Sequence, residues 1–228
     1  MMSSLLEWPF LDDVIFPPSN YSVLRTHALP SPRDPATIYV VRDPRDAYIS
    51  LFFHRVHHWS GNARFRKAWL AAGNPPLSAV HLQDQLASFL NFEAGFAGHR
   101  GSGTPAAWHH HVLAWDQART SSSGRTVVRY EDLRANPAKH LRQIYQDLFN
   151  VDCGLELVNA VATAHDVRSR NNMGHPQVGR SFVRRGQPGE WREYFGPKSG
   201  KVLEQQCGSL MRRLGYADSD RWWAVDDI

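Results

Sequence analysis

The stretch Ile38-Tyr39-Val40-Val41-Arg42-Asp43-Pro44-Arg45-Asp46-Ala47-Tyr48-Ile49-Ser50 constrains this chain more than any other, because a strand there runs straight into a helix start that can hold an anion. Four apolar or β-branched residues with no polar one between them read as a strand covered on both faces. Asp43-Pro44 then supplies a capping side chain and a proline, whose missing N–H costs nothing in a first helical turn. A helix N-terminus gathers free N–H groups and positive dipole, and Arg42 stands beside it, so the junction suits a phosphate or sulfate. The alternative is a solvated turn in which Arg42 only pairs with Asp43 or Asp46.

The rest of the pattern alternates strand and helix. Ser22-Val23-Leu24-Arg25-Thr26-His27 reads as a short strand that stops before Pro30, Pro32 and Pro35, after an irregular segment over residues 1–21. Thr126-Val127-Val128-Arg129-Tyr130 reads as a further strand, with Glu131 and Asp132 at its exit. Leu82, Leu86, Phe89 and Leu90 mark one helical face, and Thr104-Pro105 opens a helix with Trp108, Val112 and Trp115 on its apolar side. Asn136-Pro137 starts a helix carrying Leu141, Ile144, Tyr145, Leu148 and Phe149, and a shorter one covers Leu155 to Thr163. A last helix uses Leu203, Cys207, Leu210, Met211 and Leu214, while Asp166 to Pro188, rich in Arg, Asn and Gly, reads as a long surface loop. Such alternation predicts an α/β fold with a parallel sheet, whose ligands sit at the carboxyl ends of the strands. All three predicted strands end in polar groups there: Thr26-His27, Arg42 and Tyr130-Glu131.

Composition narrows the function. A chain of 228 residues fits one domain with a real core, and 42% hydrophobic with 21% charged residues is ordinary for a globular protein. The formal net charge is only +4, with arginines scattered along the sequence, which argues against nucleic acid as a partner. Lys67, Lys139, Lys198 and Lys201 are the lysines and every other basic residue is arginine, a bias that suits forked binding of phosphate or sulfate, although a GC-rich genome gives the same bias. Cys153 and Cys207 make no disulfide framework, the first residues lack the basic start of a signal peptide, and no apolar run reaches membrane length, so a cytoplasmic protein without membrane attachment is expected. His54, His57 and His58, and His109, His110 and His111, raise the question of a metal, but no carboxylate or cysteine stands at ligand spacing to complete a set, so no metal is expected.

A second basic element is Phe182-Val183-Arg184-Arg185-Gly186-Gln187-Pro188-Gly189-Glu190-Trp191-Arg192, where glycines let backbone N–H groups close on an anion that arginines also grip. Together with the first element it resembles the PAPS-dependent sulfotransferases, in the branch of the soluble cytosolic enzymes. Their strand followed by Arg-Asn-Pro-Lys-Asp and a serine is similar to Arg42-Asp43-Pro44-Arg45-Asp46 with Ser50. Their Arg-Lys-Gly and later Gly-Asp-Trp resemble Arg184-Arg185-Gly186 and Gly189-Glu190-Trp191, and their Lys-Thr-His at a strand end resembles Arg25-Thr26-His27. Trp108 with His111-Val112, and Tyr130-Glu131-Asp132-Leu133 before Asn136-Pro137, are further matches, and all of them run in order from about Pro9 to Trp191.

The resemblance implies a P-loop-NTPase-like parallel sheet flanked by helices, and transfer of a sulfuryl group from 3'-phosphoadenylyl sulfate (PAPS) to an acceptor hydroxyl or amine of a small molecule. By carry-over, Arg42, Ser50, Arg184, Arg185 and the Gly186 backbone hold the 3'-phosphate, Tyr130 meets the adenine, and His27 takes the acceptor's proton as a neutral imidazole can near pH 7. Without that resemblance, a satisfied strand-end histidine is the preferred reading of His27. Acceptor-pocket loops fall at 59–80 and 94–104, and the family's C-terminal dimer motif has no counterpart after Phe195, so oligomeric state is open. The family's opening strand-loop-helix unit, whose glycine-rich loop carries a lysine to the 5'-phosphosulfate, also has no counterpart here. The expectation is one N-terminally incomplete sulfotransferase domain over 1–228, weakly active or inactive unless that loop comes from upstream or from another chain. The alternative is a non-catalytic protein that binds the product nucleotide, 3',5'-ADP (PAP).

Overall fold

The apolar run becomes β1 (Thr37–Val41), and it pairs in parallel with β2 (Arg125–Arg129), Thr37 opposite Arg125 and Val41 opposite Arg129. The computed structural model describes residues 28–34, 36–98, 106–121, 124–164 and 187–224, and among them the sheet has these two strands. The predicted strand at 22–27 and most of the predicted loop at 166–188 lie outside the described residues. A parallel pair needs a crossover, here the helices α1 (Pro44–His57), α2 (Ala63–Ala71), α3 (Leu82–Phe96) and α4 (Trp108–Ser121). After β2 come α5 (Tyr130–Ala135), α6 (Pro137–Phe149), α7 (Leu155–Ala164) and α8 (Pro197–Arg213). The fold is thus α/β, a parallel sheet flanked by helices.

Two starts carry the caps that the sequence predicts. Asp43 caps α1, its carboxylate accepting from the Arg45 amide at 2.9 Å, with Pro44 at the first position. Asn136 caps α6 through the Lys139 amide at 3.2 Å, again ahead of a proline. Two expectations need correction. The strand β1 is not covered on both faces: Tyr39 stacks on Trp115 at 5.2 Å, whereas Ile38 and Val40 are each 46% exposed. Their register partners Thr126 and Val128 are buried on the side of α6, where Thr126 Oγ1 donates to Asp147 at 3.2 Å, so among the described residues cover on that face reaches β2 and stops short of β1. Nor are residues 59–80 a loop. Asn62 accepts from the Phe65 amide at 3.1 Å and starts α2, which buries Phe65 and Trp69 completely.

The core lies between α1, α2, α3 and α8, where Phe52, Phe65, Trp69, Leu86, Phe89, Leu90, Leu203 and Met211 have no exposure. Into this apolar cluster the fold places an ion pair, Arg55 Nε to Glu93 Oε1 at 2.8 Å, with the guanidinium 4.5 Å from the Phe65 ring centre. Burial holds the Glu93 carboxyl above its ordinary range, against the pull of the Arg55 charge. At the end of α1, the rings of His54 and His58 lie 4.4 Å apart. Burial first, and then the charges of His58, Arg55 and His57, lower His54 to about 4.

Removing the carboxylate opposite the buried Arg55 charge by Glu93→Ala is expected to destabilise the fold by about 3–5 kcal/mol, and the apolar pair Arg55→Met with Glu93→Leu to recover most of it. Urea unfolding checks this, and a double variant no more stable than the single one contradicts it. For His54 the unfolded chain binds more protons than the folded one between about 6.5 and about 4, so its contribution is complete above that window and is lost as pH falls through it. The Tm of wild type should therefore fall relative to that of His54→Gln across this range, and two parallel Tm curves would refute the assignment.

Candidate functional site

The strand-to-helix junction is held by three side chains from three other elements. Tyr216 Oη lies 3.3 Å from the Val41 carbonyl, Trp108 Nε1 donates to the Arg42 carbonyl at 3.1 Å, and the Asp43 amide donates to Glu131 Oε1 at 2.9 Å. Tyr216 also reaches Glu131 Oε2 at 3.2 Å, and burial together with the Glu131 charge raises its phenol well above the ordinary range. Glu131 arrives because β2 passes directly into α5. Tyr216 arrives because α8 ends in a left-handed Gly215, φ 71°, with the Tyr216 amide on the Met211 carbonyl and the Gly215 amide on that of Arg212. The backbone beneath Arg42 is therefore fixed before any ligand binds.

Both carboxylates near Arg42 are engaged elsewhere. Asp43, 6% exposed, accepts a forked pair from Arg45, Nε at 2.9 Å and Nη2 at 2.7 Å. Arg45 also donates to the Tyr216 carbonyl, and its guanidinium lies 3.9 Å from the Trp191 ring centre and 4.9 Å from that of Trp222. Asp46, 2% exposed, accepts the amides of Gly189 at 2.7 Å and Trp191 at 2.9 Å. Burial raises the Asp46 carboxyl, while those amides and the Arg42 charge pull it down.

Arg42 is thus left to a different use. Neither carboxylate makes an ion pair with it, its Nε is buried without a hydrogen-bond partner, and its guanidinium lies 4.8 Å from the Tyr130 ring centre. The parallel register explains the last contact, since Arg42 and Tyr130 each follow a paired residue, Val41 and Arg129. The solvated-turn alternative fails here. The helix start itself is capped from within by Asp43, so the charged donor at the junction is a side chain rather than the row of free amides that the sequence predicts. A buried guanidinium nitrogen with no acceptor calls for an anion, and phosphate suits its forked geometry.

The other predicted site residues divide. Ser50 is partly buried on α1, about two turns beyond the Asp43 cap. His27, Arg184, Arg185 and Gly186 lie outside the described residues. Their described neighbours are anchored: Trp115 Nε1 donates to the carbonyl of Ala28 at 3.3 Å, and Gly189, three residues after Gly186, is the residue held by Asp46. The histidine runs do not form a centre. His111 Nδ1 meets Tyr39 Oη at 3.0 Å, and among the described residues no three His, Cys, Asp or Glu side chains are placed to hold a metal ion. Sequence reasoning missed Tyr216 and Trp222 and gave no positional role to Glu131. The Leu214-Gly215 end of α8 was the available signal for Tyr216, because a helix-ending glycine fixes where the next side chain points.

Comparison with known proteins bears on the whole arrangement. The sequence profile of the sulfotransferase domain family matches residues 8–215. A zebrafish (Danio rerio) protein, sulfotransferase 6B1, is 23% identical over 193 residues, covering 81% of this chain and 56% of that protein. The crystal structure of the mouse sulfotransferase SULT7A1 complexed with PAP superposes with a TM-score of 0.52 at 21% identity, over 81% of this chain and 60% of that one. The chain therefore spans little more than half the length of these relatives, and at such identity the structural likeness shows the fold alone. No helix among the described residues is long and apolar enough to cross a membrane.

The geometry sorts the two junction arginines into different tasks, and stability measurements separate them. Arg45→Ala leaves Asp43 buried without its fork and is expected to cost about 3–5 kcal/mol. Arg42→Ala removes a group with no ion pair among the described residues and is expected to change stability by less than about 1 kcal/mol. Equal losses in urea unfolding would overturn this division.

Proposed function

We propose, from the premise that the chain belongs to the sulfotransferase domain family, that the carboxyl edge of its sheet holds the 3'-phosphate end of PAPS and that the chain acts as a sulfotransferase on a small-molecule acceptor. The observation that carries this reading is the Arg42 guanidinium, with a buried unpartnered Nε beside Tyr130 and both neighbouring carboxylates engaged by other donors. In this reading Arg42 and Ser50 take the phosphate from the junction side. Arg184, Arg185 and the Gly186 backbone take it from the loop that leads into Gly189, and Tyr130 packs against the adenine.

His27 is the general base. As the acceptor oxygen or nitrogen bonds to sulfur, its proton passes to the neutral imidazole, and the bridging S–O bond breaks to release 3',5'-ADP. Fixed cationic donors on the 3'-phosphate hold the nucleotide in one orientation, which positions the sulfuryl group for attack. No metal has a role in these steps. In this reading residues 8–215 act as a sulfotransferase domain, in the cytoplasm. The second reading keeps the nucleotide site without transfer, and it is supported by the Arg42 guanidinium, which in this reading meets the 3' end of the nucleotide.

Calorimetry with 3',5'-ADP tests the binding step. Binding is expected for wild type, with Arg42→Ala and Arg184→Ala each weakening it by about 10²-fold, in line with a charge-assisted phosphate contact. No binding by wild type, or unchanged binding by both variants, would sink the reading. Sulfation of a phenol or alcohol panel with labelled PAPS then separates the two readings, since binding without any transfer leaves the nucleotide-binding protein.

A further inference from the structure

The segment after α8 turns back over the junction, and it does more than cover it. Trp222 packs edge-on against Trp191, ring centres 5.4 Å apart at 88°, and against Phe195 at 5.7 Å. On its other side lies the Arg45 guanidinium at 4.9 Å, so one buried cation is shared between two indoles. Trp222 is itself held from α8, its Nε1 donating to Glu204 Oε2 at 3.0 Å, while the other Glu204 oxygen takes Arg212 at 2.5 Å. Gly200 makes room for the same segment, because a Cβ there would stand 2.2 Å from the Trp223 side chain. The tail is thus seated on α8, with one ring reaching Arg45 and Trp191.

Arg45 is the residue through which the tail reaches the junction: its fork holds Asp43, next to Arg42, and it also donates to the Tyr216 carbonyl. Asp46, the residue after it, holds the amides of Gly189 and Trp191. We infer that Trp222 is a positioning residue for the proposed 3'-phosphate site: the segment 216–224 sets the geometry of Arg45 and of the Gly189–Trp191 turn, and through the Arg45–Asp43 fork beside Arg42 it sets the affinity for the nucleotide. This rests on the function proposed above. Because coupling is reciprocal, nucleotide bound at the junction must also steady the tail.

The test uses the full chain with 3',5'-ADP as the probe. Trp222→Ala is expected to bind about tenfold more weakly than wild type with an unchanged circular dichroism spectrum, and Trp222→Phe, which keeps a ring against Trp191 and Arg45, within about threefold of wild type. A purely structural tryptophan would lower the Tm and leave the affinity alone, so an alanine variant that folds and binds as wild type overturns the inference. Hydrogen exchange on wild type covers the case in which the alanine variant does not fold. Added 3',5'-ADP should slow exchange in peptides spanning 216–224 as well as 187–195, and protection confined to the second region overturns the inference. If wild type itself shows no binding, the proposed function falls first, a result distinct from either of these.

Discussion

The forked bond between Arg45 and Asp43 is the constraint on which the rest of the site depends. Both groups are buried, and a buried charge of either sign is tolerable only with its partner in place and its remaining donors satisfied. Arg45 meets this with the Asp43 carboxylate, the Tyr216 carbonyl and the faces of Trp191 and Trp222. A lysine has no planar fork to place between two rings while bonding both carboxylate oxygens, so the choice of arginine here follows from geometry. Once Asp43 is committed in this way, it is no counter-ion for the adjacent Arg42, whose guanidinium makes no ion pair among the described residues.

The same economy of partners runs through the backbone. A parallel pair of strands delivers Arg42 and Tyr130 side by side, and tethers from Tyr216, Trp108 and Glu131 then keep the junction from relaxing toward its own carboxylates. Preorganisation of this kind matters most at a site for a multiply charged group, where a small displacement of the donor weakens several contacts at once.

Much of the fold was legible because it depends on local chemistry. Asp43-Pro44 and Asn136-Pro137 marked helix starts that the structure places there, and the run from Ile38 to Val41 is a strand. The burial of that strand is less than the run suggests, since a β-branched run reports strand preference as much as cover, and Ile38 and Val40 are half exposed. The helix at Ala63–Ala71 reads as loop in the sequence because its buried apolar residues, Phe65 and Trp69, are too few to show a period, although they anchor the core. In the site, Arg42 and Tyr130 were readable from the ends of their strands. Tyr216, Trp222 and the position of Glu131 were not, because they act across separations of more than eighty residues that no local pattern records.

An apparent contradiction at the junction resolves on the same grounds. The proposed phosphate site is flanked by Asp43 and Asp46, and two free carboxylates would repel such a ligand. Neither is free. The Asp43 charge is matched by Arg45, and Asp46 is matched by two amides whose N–H dipoles point at its oxygens. Burial still holds the Asp46 carboxyl above its ordinary range, with the two amides and, least, the Arg42 charge drawing it back. The two acids therefore act as braces that draw the helix start and the Gly189–Trp191 turn onto one another. The Asp-Pro-Arg-Asp sequence after Arg42 engages its own charges internally, which is what the proposed phosphate role of Arg42 requires.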